Sequence, residues 1–285
     1  MISYGFRDDE FSKLINDKYD YRIICVGGST TFGTGVNNYM FSYPKQLEQF
    51  LNNNNFMNKK FQVINGGIPF YTTKEILISL IDLLSIFQYK VDFVIIYEAI
   101  NDYMPRIYNN YKADYSHFRK ILETFEIPFI YKKSFLEKSD LFLLIRYKFT
   151  NFRNSRNLTN YFTKTENYSN IDINFEKNGL SGYINNIRTM ISICKANDII
   201  PILVNFIYCE DFEVDKKEII HIKECNEILK SLVKKYNIPF IELKNIDFQK
   251  SDFVDFVHLN EKGNKKKAKI IANCFTDIIK KKREL

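Results

Sequence analysis

Five short apolar runs rich in β-branched and aromatic residues recur along the chain, and segments of helical spacing lie between and after them. The runs are Tyr21–Val26, Phe61–Ile64, Val91–Tyr97, Ile199–Phe206 and Pro239–Leu243. The helical segments are Tyr43–Leu51, Thr73–Tyr89, Gly182–Ala196, Lys216–Tyr236 and Glu261–Lys282. Continuous apolar runs of this length suit strands buried on both faces, and their alternation with helices predicts an α/β fold with a parallel sheet between two helical layers. Right-handed crossovers then bring every strand C-terminus, and with them any ligand site, to one edge of the sheet. The expected architecture is a three-layer α/β/α sandwich on a mostly parallel five-stranded sheet.

One region departs from the alternation. Pro105 to Gly179 is rich in Tyr, Phe, Asn and Lys, with one amphipathic stretch at Asp140–Phe152. It is too aromatic for disorder and too long for a simple loop. We read the chain as a single domain over residues 1–285 with a lid or substrate-facing insertion at about 105–179; Asn52–Asn55 reads as a short loop. With 45% hydrophobic and 26% charged residues the chain is of ordinary globular composition, and its length permits a large core. The longest apolar run, Ile76–Phe87, contains Asp82 and falls short of the roughly 18 to 20 residues a bilayer span requires, so no transmembrane segment is expected. Acidic residues stand near the N-terminus where a signal peptide would be apolar, which predicts a cytoplasmic protein.

The five cysteines, Cys25, Cys194, Cys209, Cys225 and Cys274, are scattered and form no C-x-x-C pair, so they read as buried thiols rather than disulfides or a zinc site. Of the net charge of +7, the last helical segment with the C-terminus carries +6. That lysine-studded stretch reads as a solvated face, and no nucleic-acid partner is expected.

The first turn, Gly27-Gly28-Ser29-Thr30-Thr31-Phe32-Gly33-Thr34-Gly35, sits where α/β folds often cradle phosphate. It lacks the lysine of a P-loop and its glycine spacing misses the dinucleotide pattern. What remains is Ser29 on a tight turn at the active edge, either a nucleophile beside backbone N–H groups or a helix N-cap. Three histidines occur. His117 falls in the insertion and His221 on a charged helical segment, and both read as surface residues. His258, in Asp255-Phe256-Val257-His258, lies after the last strand and so on the same edge as Ser29. An Asp three residues ahead can hold Nδ1 and leave Nε2 to take a serine proton. Asn101, in Glu98-Ala99-Ile100-Asn101-Asp102 after the third strand, is an oxyanion donor or a turn-forming cap.

Four blocks in order resemble the SGNH (GDSL-type) hydrolases, serine esterases on a flavodoxin-like sheet: Gly27-Gly28-Ser29-Thr30-Thr31-Phe32-Gly33, Val63 to Thr72, Glu98 to Asp102, and Asp255 to His258. Tyr4-Gly5-Phe6-Arg7 is similar to the lead-in of bacterial members. The resemblance covers the sheet core and leaves the insertion unmatched. It departs at two places: Phe70 stands where the family has the glycine of its second block, and Ala99 leads the third block. The resemblance implies Ser29, Asp255 and His258 as the catalytic set. It implies an oxyanion hole from the Ser29 N–H, Asn101, and a backbone N–H of Phe70 or of Gly66 or Gly67. No metal or cofactor is implied. The substrate expected is an O-acyl ester, acetyl on a carbohydrate above all, since tyrosines suit sugar rings. Acyl transfer to a sugar hydroxyl, lysophospholipase or thioesterase activity, and a non-catalytic basic binding module are the alternatives.

Overall fold

The computed structural model of the chain describes residues 7–8, 19–53, 58–88, 90–108, 110–118, 175 and 178–283. They fall into two compact units, one of residues 1–103 with 180–285 and one of residues 104–179.

The first unit is built on five strands: β1 (Tyr21–Gly27), β2 (Phe61–Gly67), β3 (Phe93–Tyr97), β4 (Ile200–Val204) and β5 (Phe240–Ile241). All pairings are parallel and the order is β2-β1-β3-β4-β5. Strand β1 is central in the register, with Ile24 beside Ile64 on one side and Val94 on the other. The helices that cover the sheet are α2 (Tyr43–Asn53), α3 (Thr73–Ile86), α5 (Ser181–Ala196), α6 (Lys216–Tyr236) and α7 (Glu261–Arg283). Short α1 (Ser29–Phe32) follows β1, and α4 (Tyr103–Ile107) follows β3.

The strand order fixes the layers. The chain steps outward from β1 to β2, then reverses across β1 to β3 and continues to β4 and β5. Right-handed crossovers therefore put α2 on one face and α3, α5 and α6 on the other. Contacts agree, since α7 packs on α2 and α3 packs on α5. Phe275 of α7 sits edge-on to Phe93 at 4.7 Å and to Phe61 at 6.4 Å, which seats that helix on the sheet. Coverage of both faces explains why β1 and β3 read as unbroken apolar runs: Ile23, Ile24, Val26, Phe93, Val94 and Ile95 are fully buried.

The elements follow the expected boundaries closely, and α6 coincides with its expected span. Two strands differ. β5 keeps only Phe240 and Ile241, an edge strand paired over two residues. β2 runs three residues further, because Asn65, Gly66 and Gly67 stay paired with Cys25, Val26 and Gly27 of β1; the buried Asn65 donates its N–H to Asp8 at 2.7 Å and its amide to the Phe32 carbonyl and the Ser42 hydroxyl. On the last helix Lys262, Lys265 and Lys269 are exposed, as a solvated face requires, whereas one lysine turns inward. Lys267 is buried, with its ammonium 3.0 Å from the Tyr97 ring centroid and 3.8 Å from that of Tyr43. Four of the cysteines are buried, whereas Cys274 is partly exposed.

In the second unit the two ends of the segment clasp each other. Arg106 donates to the Asn178 carbonyl at 2.9 Å, the Asn178 amide donates back to the carbonyls of Arg106 and Tyr108, and the guanidinium lies over the Phe175 ring. The expected helix at Asp140–Phe152 and residues Asn54–Asn55 lie outside the described residues. No described helix is long and apolar enough to cross a membrane.

Candidate active site

Strand β1 ends at Gly27, and Gly28 turns the chain into α1. Ser29 is the first residue of that helix; the cap position belongs to Gly28, so Ser29 is not the N-cap. A Cβ on Gly28 would lie 2.4 Å from the Asn101 amide nitrogen and 2.5 Å from a Glu98 carboxylate oxygen, so only glycine allows this approach. Gly67 is similarly confined, since a Cβ there would meet the Phe32 nitrogen at 2.2 Å.

On the same edge, residues 253–259 form a tight antiparallel loop closed by the Phe253–Leu259 bridge and the Val254 N–H on the His258 carbonyl. One oxygen of Asp255 accepts the Val257 and His258 N–H groups at 3.0 and 2.8 Å. The other lies 2.7 Å from His258 Nδ1, and His258 Nε2 lies 2.7 Å from Ser29 Oγ. With Nδ1–H donating to the carboxylate, Nε2 carries the lone pair that accepts the serine proton. Partial burial would raise the Asp255 pKa, but the bonds from His258 and the two backbone N–H groups outweigh it and hold the carboxyl below its ordinary value. It is therefore ionised at neutral pH. Ser29, Asp255 and His258 thus meet in one chain of hydrogen bonds, although 229 positions separate the first from the last.

The loop itself is anchored from below by Asp252, which is buried and takes the Gln249 N–H and the ammonium groups of Lys262 and Lys266. Burial would raise this carboxyl, yet those partners bring it down to about 2. The Cys209 N–H on the Phe256 carbonyl ties the loop to the segment after β4.

Asn101 lies in the 3-10 turn Ile100–Asp102 after β3, and its side-chain amide donates to the Tyr71 carbonyl at 2.9 Å. That contact uses one of two amide hydrogens and leaves the other. Phe70 has φ of +66°, the left-handed conformation that glycine favours, and its ring is 90% exposed. The Gly67 N–H donates to Asn65 Oδ1 at 3.1 Å and is thereby spent. Among the described residues the N–H groups of Ser29 and Phe70 have no acceptor.

A model of the GDSL-like lipase/acylhydrolase family matches residues 25–266, a span that begins in β1 and ends beyond His258. The chain belongs to this family. As a GDSL-family acylhydrolase it acts on ester bonds. Solved structures share its fold. A lipolytic protein of the G-D-S-L family from Desulfitobacterium hafniense aligns with a TM-score of 0.50 at 17% identity, covering 90% of this chain and 99% of its own. A lipase/acylhydrolase from Enterococcus faecalis gives 0.52 at 14%, with coverages of 90% and 96%. A variant of Axe2, an acetyl xylan esterase from Geobacillus stearothermophilus, gives 0.53 at 15%, with 90% and 93%. No curated protein sequence matches the chain.

In this GDSL-family hydrolase, Glu98 is a site residue that sequence reasoning passed over. Its buried carboxyl accepts the Gly28 N–H at 2.7 Å, the Ala99 N–H at 3.0 Å and the Asn101 N–H at 3.1 Å. Burial pushes its pKa up to about 8 against the pull of those three donors, with nearby Asp102 adding to the rise. The signal was an acidic residue closing an otherwise apolar central strand, where a charge must be partnered. Asp102, next to Asn101, is structural: it accepts the Thr73 N–H and hydroxyl at the start of α3.

The other histidines lie elsewhere. His221 is not a surface residue: it is buried on the apolar face of α6, with Nε2 3.0 Å from the Ala99 carbonyl. His117 bonds within its own unit, Nε2 to the Pro105 carbonyl and Nδ1 from the Lys112 N–H. Of the lead-in only Arg7 is described, and its guanidinium donates to the carbonyls of Gly33, Val36 and Asn37 behind the serine turn.

Proposed function

We propose that this hydrolase is a serine esterase that removes an acetyl group from an O-acetylated carbohydrate. Ser29 is the nucleophile, His258 the general base and then acid, and Asp255 the group that orients and stabilises the imidazolium. The observation that carries the proposal is the pair of 2.7 Å contacts linking Asp255, His258 and Ser29. Ser29 Oγ attacks the ester carbonyl as its proton passes to His258 Nε2. The tetrahedral oxyanion is met by the Ser29 N–H, the Phe70 N–H and the remaining Asn101 amide hydrogen, preorganised donors of the kind that stabilise such charge. His258 gives the proton to the departing sugar oxygen, which leaves as a hydroxyl, and acetyl-Ser29 remains. Water then attacks with His258 again as base, and acetate leaves.

Two considerations support the acetyl-carbohydrate reading. One structural relative is an acetyl xylan esterase. Residues 105–179 are rich in tyrosine, whose flat apolar face and polar tip suit pyranose rings better than an acyl chain. The test is a substrate panel of acetylated xylooligosaccharide, a lysophospholipid and an acyl thioester, scored as released acid per enzyme, with and without a sugar acceptor. Acetate release with the highest kcat/KM on the acetylated sugar is expected. Ser29→Ala lowers that kcat by roughly 10⁴-fold. A clear preference for lysophospholipid, or acylated acceptor in place of free acetate, overturns the reading.

A further inference from the structure

We propose that Glu98 is a positioning residue of this active site: a single buried carboxyl that locks the serine turn to the asparagine turn. The proposal rests on the assignment of Ser29 and Asn101 above and extends it to a residue that touches neither the substrate nor the reacting atoms.

Strand β1 ends its ladder at Gly27, where it pairs with Gly67 and Tyr97. The next N–H, that of Gly28, therefore leaves the sheet without a ladder partner, immediately before Ser29. One Glu98 oxygen takes it at 2.7 Å. The other oxygen takes the N–H of Asn101 itself and that of Ala99. The same carboxyl thus holds the residue before the nucleophile and the backbone of the oxyanion donor. Gly28 packs so closely against both that even a methyl group there would strike Glu98 and Asn101 together.

The carboxyl can transmit position because its own backbone is held from behind. The Tyr183 hydroxyl on α5 donates to the Glu98 carbonyl at 3.0 Å, and His221 on α6 engages the carbonyl of Ala99. Asn101 is held from the far side by the Tyr71 carbonyl. Ser29 Oγ and the Asn101 amide must share one small reacting centre, and a misplacement of about 1 Å in such a constellation can cost on the order of 10²-fold in rate. Three short bonds to one rigid group are a direct way to prevent it.

Glu98→Gln is the sharp perturbation. The amide keeps one acceptor oxygen but turns an NH₂ toward either Gly28 or the Ala99–Asn101 pair, so a donor faces a donor. Gly28→Ala displaces the same joint from the other side. The experiment measures kcat and KM for acetyl ester hydrolysis at 20 °C on protein verified as folded by circular dichroism, with the rate of fluorophosphonate labelling alongside. Each variant is expected to lower kcat by roughly 10- to 100-fold with KM within about threefold of wild type, and to slow labelling in parallel. The double variant falls no further than the worse single one, because both break one joint.

A purely structural Glu98 gives a different pattern: a lowered melting temperature with kcat per folded molecule within twofold of wild type, which overturns the proposal. So does a double variant whose losses multiply. Should Glu98→Gln fail to fold, Glu98→Asp, whose carboxylate is withdrawn by one methylene from the three N–H groups, is read by the same measures and the same two outcomes. Wild-type protein that neither hydrolyses an ester nor takes the fluorophosphonate overturns the esterase reading itself, before any variant is compared.

Discussion

Phe70 holds a left-handed backbone at φ of +66° while exposing 90% of its side chain. For an L-residue this conformation costs roughly 1 to 2 kcal/mol, and almost no burial offsets it. The loop is nevertheless fixed at both ends, by the Ile68 N–H on the Gly27 carbonyl and by the Asn101 amide on the Tyr71 carbonyl. Phe70→Gly releases the strain but gives the unfolded chain more freedom, a loss of about 0.4 to 1 kcal/mol. The net expectation is a gain of about 0.5 to 1 kcal/mol, which for a chain of this size raises Tm by roughly 1 to 3 °C. Phe70→Ala is the control: it also removes the ring but keeps a Cβ in the left-handed region, so it melts at or below wild type. Differential scanning calorimetry on the three proteins measures the order directly. An alanine variant as stable as the glycine variant, or a glycine variant less stable than wild type, would refute the strain argument.

Asn101→Ala removes one proposed oxyanion donor and is expected to lower kcat roughly 10²- to 10³-fold with a smaller change in KM, read on the acetyl ester used for wild type. Asp252→Asn separates the His258 loop from Lys262 and Lys266. Because Asp252 is held at about 2, its contribution is fully present above its ordinary value of about 4 and is lost as pH falls from there toward 2. Urea midpoints from pH 7 to pH 2 therefore converge for wild type and variant at the acid end, with a neutral-pH gap of about 2 kcal/mol. Lys267→Met addresses the opposite sign: burial lowers this lysine well below its ordinary value, so the unfolded chain binds the extra proton and stability rises with pH across that interval. The methionine variant flattens the rise and gains most over wild type at the lower pH, measured by urea midpoints at pH 6 and pH 9.

The fold was legible because its physics is local and repeated. Strands buried on both faces must be apolar throughout, and the chain shows that five times; helical spacing set the ends of α2, α5, α6 and α7 within a residue or two. The meeting of Ser29 with His258 followed from the parallel topology, which sends both to one edge. What sequence missed was decided by partners distant in the chain. Glu98 and Lys267 look like ordinary charges until the strand end and the helix face that bury them are known. His221 sits on a helix of mixed charge, and only its phase on the helix turns it inward under Ala99. The proposed oxyanion donors were hardest to read, since a choice between Gly67 and Phe70 turns on whether a backbone N–H is already engaged, and the Gly67 N–H is taken by the Asn65 side chain. Phe70 stands where the family has glycine, and the structure holds it in the conformation glycine favours.

In the proposed mechanism Ser29 is an activated nucleophile because His258 and Asp255 stand behind it. Treatment of the native protein with a fluorophosphonate, followed by proteolysis and mass mapping, tests it most directly. A single stoichiometric adduct on Ser29 is expected, with labelling abolished in His258→Ala. An adduct on another residue, or labelling of Ser29 that is as fast without His258, would contradict it.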